Sequence, residues 1–274
     1  ANAAPLDGGS GGGLYVSGGG NDLLVADCIF SNNNAFYGGG MGAGATCIVV
    51  NCDFVGNTGV PAAGGLSNGG DGEFRNCTFR NNTGTQIGGG VFDASADGRY
   101  VGCVFFANNT TVVGGGGAGA YVNYGSPSFE NCVFAANSTV WCGGAVIALN
   151  GVAAFMDCTF YGNSAANQAG ALLIQENGYP TLQNCILWGN SAPIGPVIHT
   201  VNGGTPSVTY TCIQGGWGGA GNIASDPSFE SPGDPEGLDG LFRTSDDGLA
   251  LGAGSPCIDA GTSSGAPAED ITGK

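Results

Sequence analysis

Five carboxylates near the C-terminal end, Asp234, Glu236, Asp239, Asp246 and Asp247, form the densest set of chemical groups in the chain. They sit in "DPEGLDG" and "SDDG", glycine-punctuated loops whose hard oxygens suit a calcium ion. The spacing misses the D-x-D-x-D-G register by one residue, so this is not an EF-hand loop. Eleven cysteines are the second resource, but no C-x-x-C pair marks a zinc or redox centre. The one histidine, His199 in "PVIHTVNGG", has no G-x-S-x-G partner motif and reads as a structural histidine in a strand. Acid–base work in a groove would have to draw on Arg75 and Arg99, with Asp71, Glu73, Asp93 and Asp97 near them. A carbohydrate groove would be marked by outward rings, for which Tyr121, Tyr124, Tyr161, Trp188 and Trp217 are the candidates.

Charge narrows the partners. Asp and Glu number 21 against 5 Lys and Arg, a formal net charge of −16. That leaves no electrostatic footprint for nucleic acid or an anionic membrane, and it repels acidic polysaccharides. No apolar run approaches the length of a membrane span. None of the motifs demands a cofactor; calcium at the acidic loops is the one ion they suit. Glycine (56) and proline (12) reach the level that often signals disorder, yet 42% of residues are hydrophobic. Regular glycine turns between short strands reconcile the two facts.

The elements that would position these groups are repeated. "CIFSNN" at Cys28 returns as "CDFVGN" at Cys52, "CTFRNN" at Cys77 and "CVFFAN" at Cys103. It recurs as "CVFAAN" at Cys132, "CTFYGN" at Cys158 and "CILWGN" at Cys185, and Cys212 opens an eighth copy that decays. The steps are 24, 25, 26, 29, 26, 27 and 27 residues. Five residues after seven of these cysteines stands an asparagine: Asn33, Asn57, Asn82, Asn108, Asn137, Asn163 and Asn190. Glycine runs follow most copies. Three strand signals occur per unit: C-x-F, a strand after the glycines as in "GGVFDAS", and one before the next cysteine as in "GEFRN". With no helical period, three strands in about 25 residues specify one turn of a coiled solenoid in which equivalent residues stack. Beside an inward phenylalanine the cysteines read as small buried apolar groups. The asparagines read as turn residues that tolerate the left-handed conformation and bond along their stack. Asn76 and Asn109 are the sequon asparagines best placed to face outward.

The "NCxFxxNxAxxGGG" coils, from about 11 to 217, resemble the right-handed parallel β-helix proteins of bacterial surfaces and secretions, of the polymorphic-outer-membrane-protein type. The stretch "SDPSFESPGDPEGLDGLFRTSDDGLALGAGSPCIDAG", 225 to 261, is similar to the tail of large secreted β-helix proteins. The resemblance implies an all-β, right-handed parallel β-helix of roughly eight coils over 1–217, with an irregular acidic segment, 218–274, folded over its end or side. It also implies an extracellular or cell-surface location. The chain opens at Asn2 on what looks like half a coil and closes at "DITGK", so both solenoid ends are expected to be uncapped and available for self-association. The expected function is an extracellular structural subunit that stacks head to tail into filaments. The alternatives are a carbohydrate-active or carbohydrate-binding β-helix with a polysaccharide partner, and an adhesin passenger.

Overall fold

The computed structural model of the 274-residue chain describes residues 9–18, 23–266 and 271. Residues 2–8 of the half-coil expected from Asn2 lie outside them, as do Glu269, Asp270 and Lys274. The described residues form no helix, and therefore none long and apolar enough to cross a membrane. All strand-to-strand ladders are parallel, and each strand pairs with its counterpart one turn away. The result is a parallel β-solenoid of eight turns.

Each turn passes through four sheets. Sheet I collects the strands after the glycines, from Leu14–Val16 to Ile198–Thr200. Sheet II holds those before the cysteines, from Leu24–Ala26 to Ser207–Thr209, and sheet III the C-x-F strands, from Ile29–Ser31 to Cys212–Ile213. Sheet IV was not expected. Its six strands, from Asn34–Tyr37 to Ser164–Ala165, follow the ladder asparagines, and four of them are two residues long.

The core is built from stacked copies of the same side chain. Phe54, Phe79, Phe105, Phe134 and Phe160 are in register on sheet III, with ring centroids 4.4–5.1 Å apart. Sheet II contributes a second stack, Phe74, Tyr100, Phe129 and Phe155, that meets the first edge to face. Ring pairs in these geometries add about 0.5–1.5 kcal/mol each beyond the area they bury.

The asparagines form a continuous buried ladder that bonds along its stack as expected, but the left-handed position is not theirs. None takes the left-handed conformation; the residue before each one does, as at Asn32, Gly56, Asn81 and Ala107. The ladder side chains bridge turns instead. Asn82 donates its backbone N–H and its Nδ2 to Oδ1 of Asn108 (both 3.0 Å), and Asn108 repeats this toward Asn137 at 3.0 Å. From Asn57 on, each Nδ2 also donates to a phenylalanine carbonyl one turn back, as from Asn108 to Phe79 at 2.8 Å. At the last rung Asn190 turns its Nδ2 to the carbonyl of Trp188, 3.2 Å away. A glycine just before the sheet I strand packs against this ladder at Gly40, Gly65, Gly90 and Gly119. A Cβ at Gly90 would lie 2.6 Å from the Gly119 carbonyl and 3.2 Å from Asn108 Nδ2.

Cys52, Cys77, Cys103, Cys132, Cys158 and Cys185 stack inside as anticipated, and all are buried. Two members differ. Cys28, on the first turn, is exposed. Cys212 has left the ladder. Sheet III aligns Ile186 with Cys212, so Thr211 occupies the rung above Cys185 and its Oγ1 accepts the Cys185 N–H at 3.3 Å. The left-handed residue that precedes each ladder position shows the same shift, from Asn184 to Tyr210. A one-residue slip moves a strand side chain to the opposite face.

From residue 219 the chain folds onto the solenoid. Ile223 bridges Cys212, and Asn222 bonds the Val208 carbonyl and the Thr211 N–H, covering part of the last turn. Beyond it the chain runs back along the outer face of sheet III, so the acidic segment lies on the side as well as the end.

Candidate functional site

The charged groups of the coils engage one another. Glu73 pairs with Arg75 (2.8 Å) and Arg99, and Arg99 reaches Glu130 (2.8 Å), across the outer face of sheet II. Arg99 stays 44% exposed, so these pairs contribute little to stability, but they do neutralise the face. Asp97 and Asp71 cap successive turns, Asp71 accepting the Asp97 N–H and Asp97 the Ser126 N–H. Asp93 points the other way, into the core, where it accepts from Tyr100 Oη (2.8 Å) and Asn68 Nδ2 (2.9 Å). Burial is the largest influence on Asp93 and pushes its carboxyl up to about 6 against the pull of those two donors. Its Oδ1 and the Oδ1 of Asn68 are buried without partners. The acids expected to converge with Arg75 and Arg99 are therefore divided between the two sides of the wall.

The tail carboxylates hold the tail itself. Asp246 accepts the N–H groups of Leu238 and Asp239 and the Thr244 hydroxyl (2.7 Å); Asp247 accepts the N–H groups of Arg243 and Thr244. Glu236 pairs with Arg80 of the third coil at 3.0 Å. Asp234 gives its N–H to the Ser231 carbonyl, and the Asp239 carboxylate accepts the Leu241 N–H. Among the described residues, no group of three or more His, Cys, Asp or Glu side chains is arranged to hold a metal ion. Between these acids Arg243 projects into the wall, donating to Thr78 Oγ1 (2.9 Å) and the Gly102 carbonyl (3.2 Å). Phe242 packs on Phe106 at 5.1 Å and Phe229 on Tyr161 at 5.5 Å.

The five aromatic candidates do not make a row. Tyr161 lies under Phe229, Trp188 neighbours it on sheet III, Trp217 is in the tail and Tyr124 marks a left-handed turn. Tyr121 alone belongs to a gathering of rings, on the outer face of sheet I. There the register aligns Tyr15, Gly42, Ser67, Phe92 and Tyr121 on five successive turns. Gly42 and Ser67 leave a gap between the rings of Tyr15 and Phe92, and Tyr37 from sheet IV stacks against Phe92 at 6.3 Å. The cleft so formed is about 240 Å³, floored by Gly42, Gly44, Ser67 and Gly69, with no charged side chain in its lining. Its signal in the sequence was a small residue in the second and third copies where the flanking copies carry Tyr15, Phe92 and Tyr121. His199 lies farther along the same sheet, beside Leu173.

The fold and its ladders define a parallel β-solenoid protein with a side-docked tail. No family model, curated protein or solved structure matches the chain.

Proposed function

We propose that the protein is an extracellular structural subunit of a cell surface or matrix, with the solenoid as a rigid scaffold. The observation that carries this reading is the buried asparagine ladder, Asn33 to Asn190, in which each rung bonds the next through both side-chain and backbone groups. The charged groups of coils and tail bond to their own chain, which suits a scaffold better than a reaction centre. Head-to-tail stacking belongs to the same reading. The tail blunts the last turn at Val208 and Cys212, but among the described residues Ile198–Thr200 is bonded on one side only. A second copy adding there would make a heterologous contact and an open filament. Electron microscopy of the native material over a concentration series tests this. Filaments with an axial repeat of about 40 Å are expected from the rise per turn; discrete rods at every concentration would remove the stacking.

The cleft on sheet I favours a second reading, a scaffold that binds a neutral polysaccharide. Exposed flat rings such as Tyr15, 53% exposed, offer apolar faces for sugar rings, and the lining carries no acid for cleavage. Titration with neutral oligosaccharides should quench tyrosine fluorescence in the parent protein and fail to do so in Tyr15→Ala. Equal quenching in both would discard this reading.

A further inference from the structure

The cysteine that leaves the ladder faces the one cysteine of the tail. Because Thr211 takes the inner rung, Cys212 joins the outer row of sheet III, in register with Ile186 and, one turn further back, Thr159. The tail packs on that row, and Cys212 and Cys257 line one cleft of about 330 Å³ together with Leu251 and Ile223. A short circuit of hydrogen bonds fixes the approach. The Cys212 thiol donates to the Ser225 carbonyl at 3.2 Å. Two residues on, the Pro227 carbonyl accepts the hydroxyl of buried Ser255, and Ser255 Oγ accepts the Cys257 N–H at 3.1 Å. The ladder cysteines have no such partner outside the core. Cys185 also borders the cleft, yet its thiol donates inward to the carbonyls of Phe155 and Gln183.

We propose that Cys212 and Cys257 are a redox site that closes to a disulfide and fastens the tail to the last turn of the solenoid. A small disulfide such as oxidised glutathione is the oxidant. Half-buried Cys257 attacks one glutathione sulfur as its thiolate, forming a mixed disulfide and releasing one glutathione thiolate. Cys212 then attacks the Cys257 sulfur and releases the second. One protein S–S bond forms and the glutathione S–S bond breaks; two electrons pass to glutathione, and the two thiol protons end on its two thiols. The order follows from accessibility, since burial and then the neighbouring Cys257 push the Cys212 thiol up to about 12. The remaining inner cysteines stay reduced because burial excludes the oxidant. This inference does not depend on the scaffold reading.

Cleavage after Arg243 gives a fragment, 244–274, whose sole cysteine is Cys257. The native protein is incubated with oxidised glutathione, denatured, alkylated and digested without reductant. The expected result is this fragment joined to the peptide carrying Cys212, with the ten thiols other than exposed Cys28 falling to eight, and its release on reduction. Cys212→Ala should release it and Cys185→Ala should not. A fragment that is alkylated or carries glutathione in the oxidised parent overturns the proposal, as does linkage that persists in Cys212→Ala. Cys257→Ser, on the tail and clear of the core, is the variant that leaves folding of the coils out of the question. It should keep all its remaining thiols except exposed Cys28 under oxidation, and loss of any buried thiol would equally overturn the proposal.

Discussion

The coils and the tail are held by opposite means. In the coils a buried polar group meets a copy of itself one turn away, as Asn108 meets Asn82 and Asn137. In the tail each polar group meets something different: Arg243 a threonine and a carbonyl, the Thr262 backbone the amide of Asn184 in the coils, Asp246 a hydroxyl and two amides. Repetition makes the coils tolerant of register as long as every copy keeps step. The tail has no such redundancy, and its position rests on a few individual contacts. It also stands on the slip at Thr211, without which Cys212 would face the core.

The difference can be broken most severely from the coil side. Asn108→Ala strands the Asn82 N–H and takes one bond each from the Asn82 Nδ2, the Phe79 carbonyl and the Asn137 Oδ1, which keeps the backbone N–H of residue 108. At about 1–3 kcal/mol for the stranded amide and about 0.5–1.5 kcal/mol for each further bond lost, a loss of about 3–5 kcal/mol is expected in urea unfolding. Asp93→Asn should act in the other direction. A carboxyl raised in the folded state binds its proton more tightly there than in the unfolded chain. Its contribution is therefore full below about pH 4 and is lost as pH rises through about 6. The amide removes that loss, so a gain of about 2–3 kcal/mol at pH 8 and almost none at pH 4 is expected from thermal melts. An equal change at both pH values would show that packing, not ionisation, governs the site. The smallest effect tests the tail. Arg243→Ala should leave the unfolding of the coils unchanged while amides in 229–262 exchange at least tenfold faster, a local opening of about 1–2 kcal/mol. Slowed exchange, or a coil-wide drop in stability, would contradict independent docking.

How much of this was legible in the sequence follows the same division. Cys52 to Cys185, the phenylalanines two residues after all but the last of them and the asparagines five residues after them were visible because stacking forces recurrence. Sheet IV was not, since most of its strands are two residues long and carry no alternation. Cys212 was misplaced because "TC" offers two small side chains for one rung, and only the left-handed Tyr210 decides between them. The left-handed position itself was assigned one residue late, to the ladder asparagines, whose amides serve the ladder instead. The cleft escaped notice because a gap is made by what Gly42 and Ser67 lack. Arg243 carried no periodic signal, and its partners Thr78 and Gly102 lie more than 140 positions away in the chain.

The hydrogen bonds between turns run along the solenoid axis, so a pull on the two ends would load every junction in series and fail at the weakest. That junction is legible in the sheets. Sheet IV ends as a strand at Ser164–Ala165 and continues only as single bridges at Ser191 and Ile194, so the last turns are joined by fewer bonds than the middle ones. The tail crosses this stretch. It is anchored at Thr78 and Phe106 near the middle, at Tyr161 farther on, and at Asn184 and Cys212 close to the end. Tension that would part the last turns must also strip this strap, which carries load beside the sheets where they are thinnest.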